Sequence, residues 1–251
     1  CNEETGQPWA EDSIIVVASS TKGATAICAN LLSHRVGLPV LDKPLAVEDF
    51  LAWEPPVSAL ATQTPKWEPG TTHGYHAITY GWLVGEDERA KEMLAAAKAP
   101  KSYLTQDQTT SPLDMSSRAF HAAELPAANG ITDARSIARM YASLIGDGVD
   151  GVRLFNDDTV KQVSAERSGD VDEVMGIHSR FGTGFYLYMD GSNMIQDGVF
   201  GHGGAGGSIG FADPKADLGF GYVMNKMQMV GDDDPRTVNL AQALHDSIAS
   251  Q

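Results

Sequence analysis

The 251-residue sequence predicts an α+β fold, an antiparallel β-sheet flanked by helices with a mostly helical region beside it. Three observations lead there. A short strand leads into a helical middle broken by loops up to about residue 146, short β-like runs joined by tight turns follow, and one amphipathic helix closes the order. That order lacks the alternating strand and helix units of a doubly wound sheet. A hydrophobic content of 42% is enough to bury a full core, and the length allows one large domain or two small ones. With no internal repeat and no low-complexity linker, the expectation is a single domain over residues 1–251. Its helical subregion covers about 20–146, and the sheet with the terminal helix covers about 147–251.

Each element has its own reason. Residues 13–18 (SIIVVA) are an apolar, β-branched run, suited to a buried strand or an extended lead-in. Ala24, Ile27, Cys28, Leu31 and Leu32 then make one apolar helical stripe, with Ser19 or Ser20 available as its N-cap. Residues 36–70 are punctuated by Gly37, Pro39, Pro44, Pro55, Pro56, Pro65, Pro69 and Gly70, which predicts a loop region with a short helix over 47–53. Residues 80–99 begin apolar, become charged and Ala-rich, and stop at Pro100, a helical signal; residues 101–130 read as irregular. Thr132 is expected to cap an amphipathic helix in which Ala134, Ile137, Ala138, Tyr141, Leu144 and Ile145 share a face, ended by Gly146. Strands are expected over 181–189, 198–200, 208–212 and 218–227, the last two joined by the turn Asp213-Pro214-Lys215-Ala216-Asp217. The final helix, 236–249, turns Val238, Ala241, Leu244 and Ile248 inward.

Composition removes several classes of function. Eighteen Lys and Arg against thirty-three Asp and Glu give a formal charge of -15, which repels phosphate backbones, so no nucleic-acid partner is expected. The acidic runs at Asp157-Asp158 and Asp232-Asp233-Asp234 read as solvated surface. No apolar stretch approaches the roughly 20 residues that span a bilayer. Without a charged-then-apolar leader the expected compartment is the cytoplasm; a leader already removed would make the protein periplasmic or secreted. Two cysteines are too few for a disulfide framework. Cys28 reads as core, and Cys1 as part of an exposed turn rather than a lipid anchor. The seven histidines suggest no metal site: His73 and His76 form an i, i+3 pair on a Gly-rich loop with no carboxylate at ligand spacing, and the others are dispersed. No cofactor is expected, and the oligomeric state is not legible. Glu124 and Asn129 read as turn residues that could also order a cleft.

Two serines compete as a nucleophile. Gly206-Gly207-Ser208-Ile209-Gly210 matches the G-x-S-x-G pattern, but a nucleophile elbow needs a strand, a sharp turn and then a helix, and Ser208 is followed by a second strand. Ser19 begins Ser19-Ser20-Thr21-Lys22. On a helix the first and last of these lie on one face, so Lys22 can hydrogen-bond the Ser19 hydroxyl. A serine is a poor nucleophile until something takes its proton; a lysine desolvated at a helix N-terminus has its pKa pushed down and can do so. Two further stretches support Ser19. Residues 68–82 (EPGTTHGYHAITYGW) end the Pro-rich loop in a position to present Tyr75 to a cleft, and residues 201–207 (GHGGAGG) let a substrate approach the backbone of a sheet edge.

At these three places the sequence resembles the serine β-lactamase and penicillin-binding protein superfamily, more closely its class C-like branch with the family VIII carboxylesterases. SSTKGATA, LLSHRVGLP (31–39), WEPGTTHGYHAITYGWLVGE (67–86), AAELPAANGITDARSIARMYASL (122–144) and FGHGGAGGSIGFADPKADLGFGYVMNKM (200–227) fall in that branch's order. The resemblance implies that Ser19 is acylated, that Lys22 is its proton partner and that Tyr75 acts as base on Ser19 and later on water. It implies that His202, Gly203 and Gly204 line the substrate pocket, and that the backbone N–H groups of Ser19 and Ala205 form the oxyanion hole. The sequence departs from lactamases in having Tyr75-His76-Ala77 without an Asn, and His202 where they carry a cation for the substrate carboxylate; both favour neutral esters. It is also shorter than the family between Asn30 and Leu31 and between Glu86 and Asp87, and starts without the usual N-terminal strands and helix, which fits either a compact homologue or a sequence that omits those segments. The expected function is cleavage of small carboxylic esters through a Ser19 acyl-enzyme. A β-lactamase or D-alanyl carboxypeptidase is the in-class alternative, and a non-catalytic binding or scaffold protein the other.

Overall fold

The computed structural model describes residues 10, 13–28, 34–68, 70–85, 109, 114–190, 192–228 and 234–249. A two-residue strand, β1 (Ile15–Val16), leads through a 3-10 turn (Ala18–Ser20) into helix α1 (Thr21–Cys28). The helical region continues with α2 (Val47–Leu51), α3 (Glu54–Thr62), α4 (Thr79–Gly85) and α5 (Arg118–Ala122). Strand β2 (Ile131–Thr132) pairs antiparallel with β1, and helix α6 (Ala134–Ala142) and helix α7 (Asp157–Ser164) come next. The remaining strands are β3 (Ser168–Val171), β4 (His178–Phe181), β5 (Tyr186–Leu187), β6 (Phe200–Gly203), β7 (Ile209–Asp213) and β8 (Leu218–Tyr222). They form one antiparallel sheet in chain order, closed by helix α8 (Pro235–Ala249). The mixed helix and antiparallel-sheet class expected from the sequence is the one observed.

The sheet is covered on both faces, which is why β7 is buried at every position. Ile209 and Phe211 pack with Ala241 of α8. Ala212 on the opposite face packs with Ile137 and Tyr141 of α6. The α6 backbone lies directly on β8: a Cβ on Gly219 or Gly221 would sit 2.3 Å from the carbonyl oxygens of Ala138 and Ala134, so only glycine allows that approach. A separate apolar cluster, with Leu41, Phe50, Leu60, Trp82, Phe120 and Leu125, holds the helical region together. The candidate site lies between these two bodies.

Several elements differ from expectation for identifiable reasons. The Pro-rich loop contains a second helix, α3, because Pro55 and Pro56 occupy its first turn, where a missing N–H removes no helical bond. The short helix before it stops at Leu51 rather than 53, since Ala52 is extended. Thr132 belongs to β2, and the cap of α6 is Asp133, whose carboxylate accepts the Ser136 N–H at 2.7 Å. Helix α7 has no counterpart among the expected elements, although Asn156 caps it, accepting the Thr159 N–H at 2.8 Å. The strand expected over 181–189 is two strands, interrupted where Gly184 turns at φ +81°. The strand expected over 218–227 ends at Tyr222. Of the helix expected over 80–99, the first turns form α4; the remainder, and the shortened junctions after Asn30 and Glu86, lie outside the described residues.

Candidate active site

Ala18 takes φ +45°, a left-handed conformation that costs a non-glycine residue about 1 kcal/mol or more. That kink, followed by the 3-10 turn, brings Ser19 to the wall of a cleft while Ser20 turns inward. Lys22 comes next on the first turn of α1. It is fully buried, and its Nζ lies 3.2 Å from Ser19 Oγ, 2.5 Å from the Ala77 carbonyl oxygen and 2.9 Å from that of Ala127. Carbonyls only accept, so two of the amine's N–H groups are committed to them. The remaining position faces Ser19. It holds a third N–H when the amine is charged and a lone pair when it is neutral. Burial lowers the Lys22 pKa to about 7, because a charge that leaves water without an anionic partner is disfavoured. At neutral pH a neutral amine with its lone pair toward the serine hydroxyl is therefore well populated. Two residues after Ala127, Asn129 Nδ2 donates to the carbonyls of Phe120 and Ala123 at 2.9 and 2.7 Å.

Tyr75 reaches the same cleft from the segment before α4 and is 9% exposed. Its ring centroid lies 5.1 Å from Lys22 Nζ and 5.1 Å from the His34 ring, with Phe181 stacked behind it at 6.5 Å. Its backbone N–H donates to Asp172 Oδ1 at 2.9 Å.

The cleft holds about 240 Å³. Besides Ser19 and Tyr75, one side is apolar, with Tyr186, Leu187, Met189 and Met194, and another is polar, with Ser192, Asn193 and Asp234. The floor is the β6–β7 turn: Gly203, Gly204, Ala205, Gly207 and Ser208. Gly206 and Gly207 take φ +90° and +115°, and the Gly207 N–H closes the turn onto the Gly204 carbonyl at 3.1 Å. Arg236 at the start of α8 fastens this turn, donating to the Gly206 carbonyl at 3.1 Å and, through Nε, to Asp234 Oδ1 at 2.9 Å. Asp234 is 2% exposed and paired, so Arg236 holds its carboxyl below the usual range.

The structure brings Ser19, Lys22, Tyr75, Gly203, Gly204 and Ala205 together. His202 is placed differently. It is fully buried, its ring 4.8 Å from that of Tyr186 and 6.1 Å from that of Tyr75, both of which line the cleft. The expectation that His202 lines the pocket is corrected: its buried ring packs instead against two of the residues that do. Its Nδ1 donates to the Gly203 carbonyl at 2.7 Å, and burial together with the Lys22 charge lowers its pKa to about 3, so the ring is neutral. Ser208 does reach the cleft, but its hydroxyl donates to the Val17 carbonyl at 2.8 Å and meets only Ser20 Oγ at 3.1 Å besides. β7 continues directly from it, so the G-x-S-x-G match has no elbow.

His73 and His76 serve separate partners. His73 Nε2 meets Ser179 Oγ at 2.9 Å, while His76 accepts the Leu38 N–H at 3.1 Å. Sequence reading missed Asp172, Tyr186, Asn193 and Met194, and its expectation of a solvated Asp234 is corrected, because that residue is buried against Arg236. Asp234 alone had a readable signal, an Asp before Pro235 at the start of a helix. Among the described residues no helix is long and apolar enough to cross a membrane.

Comparison with known proteins agrees with this architecture. The family model described as Beta-lactamase matches residues 28–245, starting just after Ser19 and Lys22. Esterase/beta-lactamase LipL of Mycobacterium tuberculosis is 27% identical over 308 residues, covering 88% of this chain and 71% of that protein. An alignment longer than this chain means that LipL carries segments this chain lacks. The crystal structure of a family VIII carboxylesterase is 28% identical with a TM-score of 0.83, covering 98% of this chain and 86% of that one. EstA from Arthrobacter nitroguajacolicus Rue61a is 25% identical with a TM-score of 0.77, covering 98% and 87%. With the family match spanning most of its length, this chain belongs to the beta-lactamase family of hydrolases.

Proposed function

We propose that the protein is a serine carboxylesterase that cleaves small neutral esters through an acyl-enzyme on Ser19. The observation that carries this reading is the buried Lys22 amine, 3.2 Å from Ser19 Oγ, with two of its hydrogen-bond positions taken by carbonyls. In the proposed reaction the neutral amine takes the Ser19 proton as Oγ attacks the ester carbonyl. The N–H groups of Ser19 and Ala205 hold the oxyanion, each worth roughly 3 kcal/mol. The alcohol leaves with a proton returned by the Lys22 and Tyr75 pair, and Tyr75 then helps water attack the acyl-enzyme.

The cleft's apolar side, Leu187, Met189 and Met194, suits an aliphatic or aryl acyl group. Among the described lining residues there is no cation to receive a carboxylate, and Asp234 is itself anionic. That supports neutral esters over β-lactams, on a different ground from the buried His202. LipL's name covers both activities, so both belong in the test. A fluorophosphonate probe should form an adduct that peptide mapping places on Ser19. Short-chain nitrophenyl esters should turn over far faster than a chromogenic cephalosporin. No adduct would leave a non-catalytic binding protein; preference for the cephalosporin would make it a β-lactamase.

A further inference from the structure

The turn between β3 and β4 carries a buried carboxylate that the proposed chemistry does not use. Asp172 is fully buried. Its Oδ1 accepts the N–H groups of Val174 and Met175, each at 2.9 Å, and so folds its own turn. The same oxygen accepts a third N–H, that of Tyr75, at 2.9 Å from 97 positions away. Oδ2 accepts the Ser179 hydroxyl at 3.3 Å, and Ser179 Oγ lies 2.9 Å from His73 Nε2. With the serine proton committed to Asp172, it is the Nε2–H of His73 that donates to Ser179. The Glu173 N–H donates to the His73 carbonyl at 3.0 Å. Residues on both sides of Gly74 are thus tied to one turn, and Gly74 itself is enclosed: a Cβ there would lie 2.6 Å from Trp67 and 2.8 Å from Val174.

Two bonds to Oδ1 suffice to close the local turn. The third reaches the peptide of the residue whose phenol faces Ser19's cleft. We propose that Asp172 is a positioning residue for Tyr75, its carboxylate fixing the peptide from which the phenol is presented to the reacting atoms. A charged acceptor holds N–H groups about twice as strongly as a neutral one, and a misplacement of about 1 Å can cost roughly 100-fold in rate. The inference rests on the reading of Tyr75 as a proton-transfer group.

The test is a double-mutant cycle on nitrophenyl ester hydrolysis, with fluorophosphonate labelling of Ser19 measured in parallel. Asp172→Ala should lower kcat about 10- to 100-fold with KM within about 3-fold. Asp172→Asn keeps Oδ1 as an acceptor and should recover to within about 5-fold of wild type. In a Tyr75→Phe background Asp172→Ala should cost less than about 2-fold, since no phenol remains to be positioned. Full turnover by Asp172→Ala, or the same loss in both backgrounds, would overturn the proposal, the second result marking a general structural role. Should Asp172→Ala not fold, Asp172→Ser takes its place in the cycle with the same expectations. A wild-type protein that never labels at Ser19 removes the underlying reading and the inference with it; a labelled wild type with an indifferent Asp172 removes the inference alone.

Discussion

Two turns deliver a serine to one cleft, and they differ in what surrounds the hydroxyl. On the turn before α1, Ser19 meets a buried amine whose other hydrogen bonds are already made. On the turn between β6 and β7, Ser208 meets the Val17 carbonyl, an acceptor that ties the hydroxyl down without activating it. Both serines border the same space, so access does not distinguish them. A nucleophile needs a group able to take its proton, and among the described contacts it is Ser19 that has an amine within hydrogen-bond distance. Ser208 fastens the strand edge to the 3-10 turn, which keeps the two halves of the cleft in register.

The comparison breaks most directly by removing each hydroxyl. Ser19→Ala should lower ester hydrolysis by roughly 10⁴-fold or more and abolish fluorophosphonate labelling. Loss of activity from Ser208→Ala with survival of Ser19→Ala would reverse the assignment. Next in size is the amine. Lys22→Ala should cost roughly 10³-fold, and in the wild type kcat/KM should rise with pH through about 7, because the neutral amine is the competent form. A flat profile across that range would mean that Lys22 does not titrate in the reaction.

The same burial makes a stability prediction. The folded pKa of Lys22 lies below its unfolded value of 10.5, so between about 7 and 10.5 the unfolded chain binds more protons and stability rises with pH. Below about 7 the penalty for burying the charge is fully present. Thermal denaturation should therefore show the gain of Lys22→Met relative to wild type shrinking as pH climbs through that window. A difference independent of pH would contradict a buried titrating amine. Smallest of all, Ser208→Ala should cost about 1 kcal/mol of stability for one lost hydrogen bond and leave activity within a few-fold. A larger loss of activity would mean that the β6–β7 turn depends on that bond for the placement of Ala205.

Reading the chain left to right recovers the order of helical region, sheet and final helix, since periodicity is local. It anticipates the 3.2 Å contact between Lys22 and Ser19 for the same reason: their spacing is one turn of backbone. Caps and short helices are less legible. Asp133 and Thr132 are both good caps, and only the pairing of Thr132 with Ile15 in the small sheet decides between them. The helix begun at Pro55 is hidden because proline signals a break unless its place in the first turn is known.

What the sequence determined by itself is the class of fold and the contact between Ser19 and Lys22, because both depend on neighbours a few positions apart. Tertiary structure decided the rest. How deeply His202 is buried is set by the aromatic rings that pack on it, and whether Lys22 is charged is set by the packing that takes its amine out of water. Tyr75 is held through a carboxylate 97 positions distant. Desolvation and long-range hydrogen bonds are properties of what packs against a residue, and a linear string of residues carries no record of that until the chain has closed on itself.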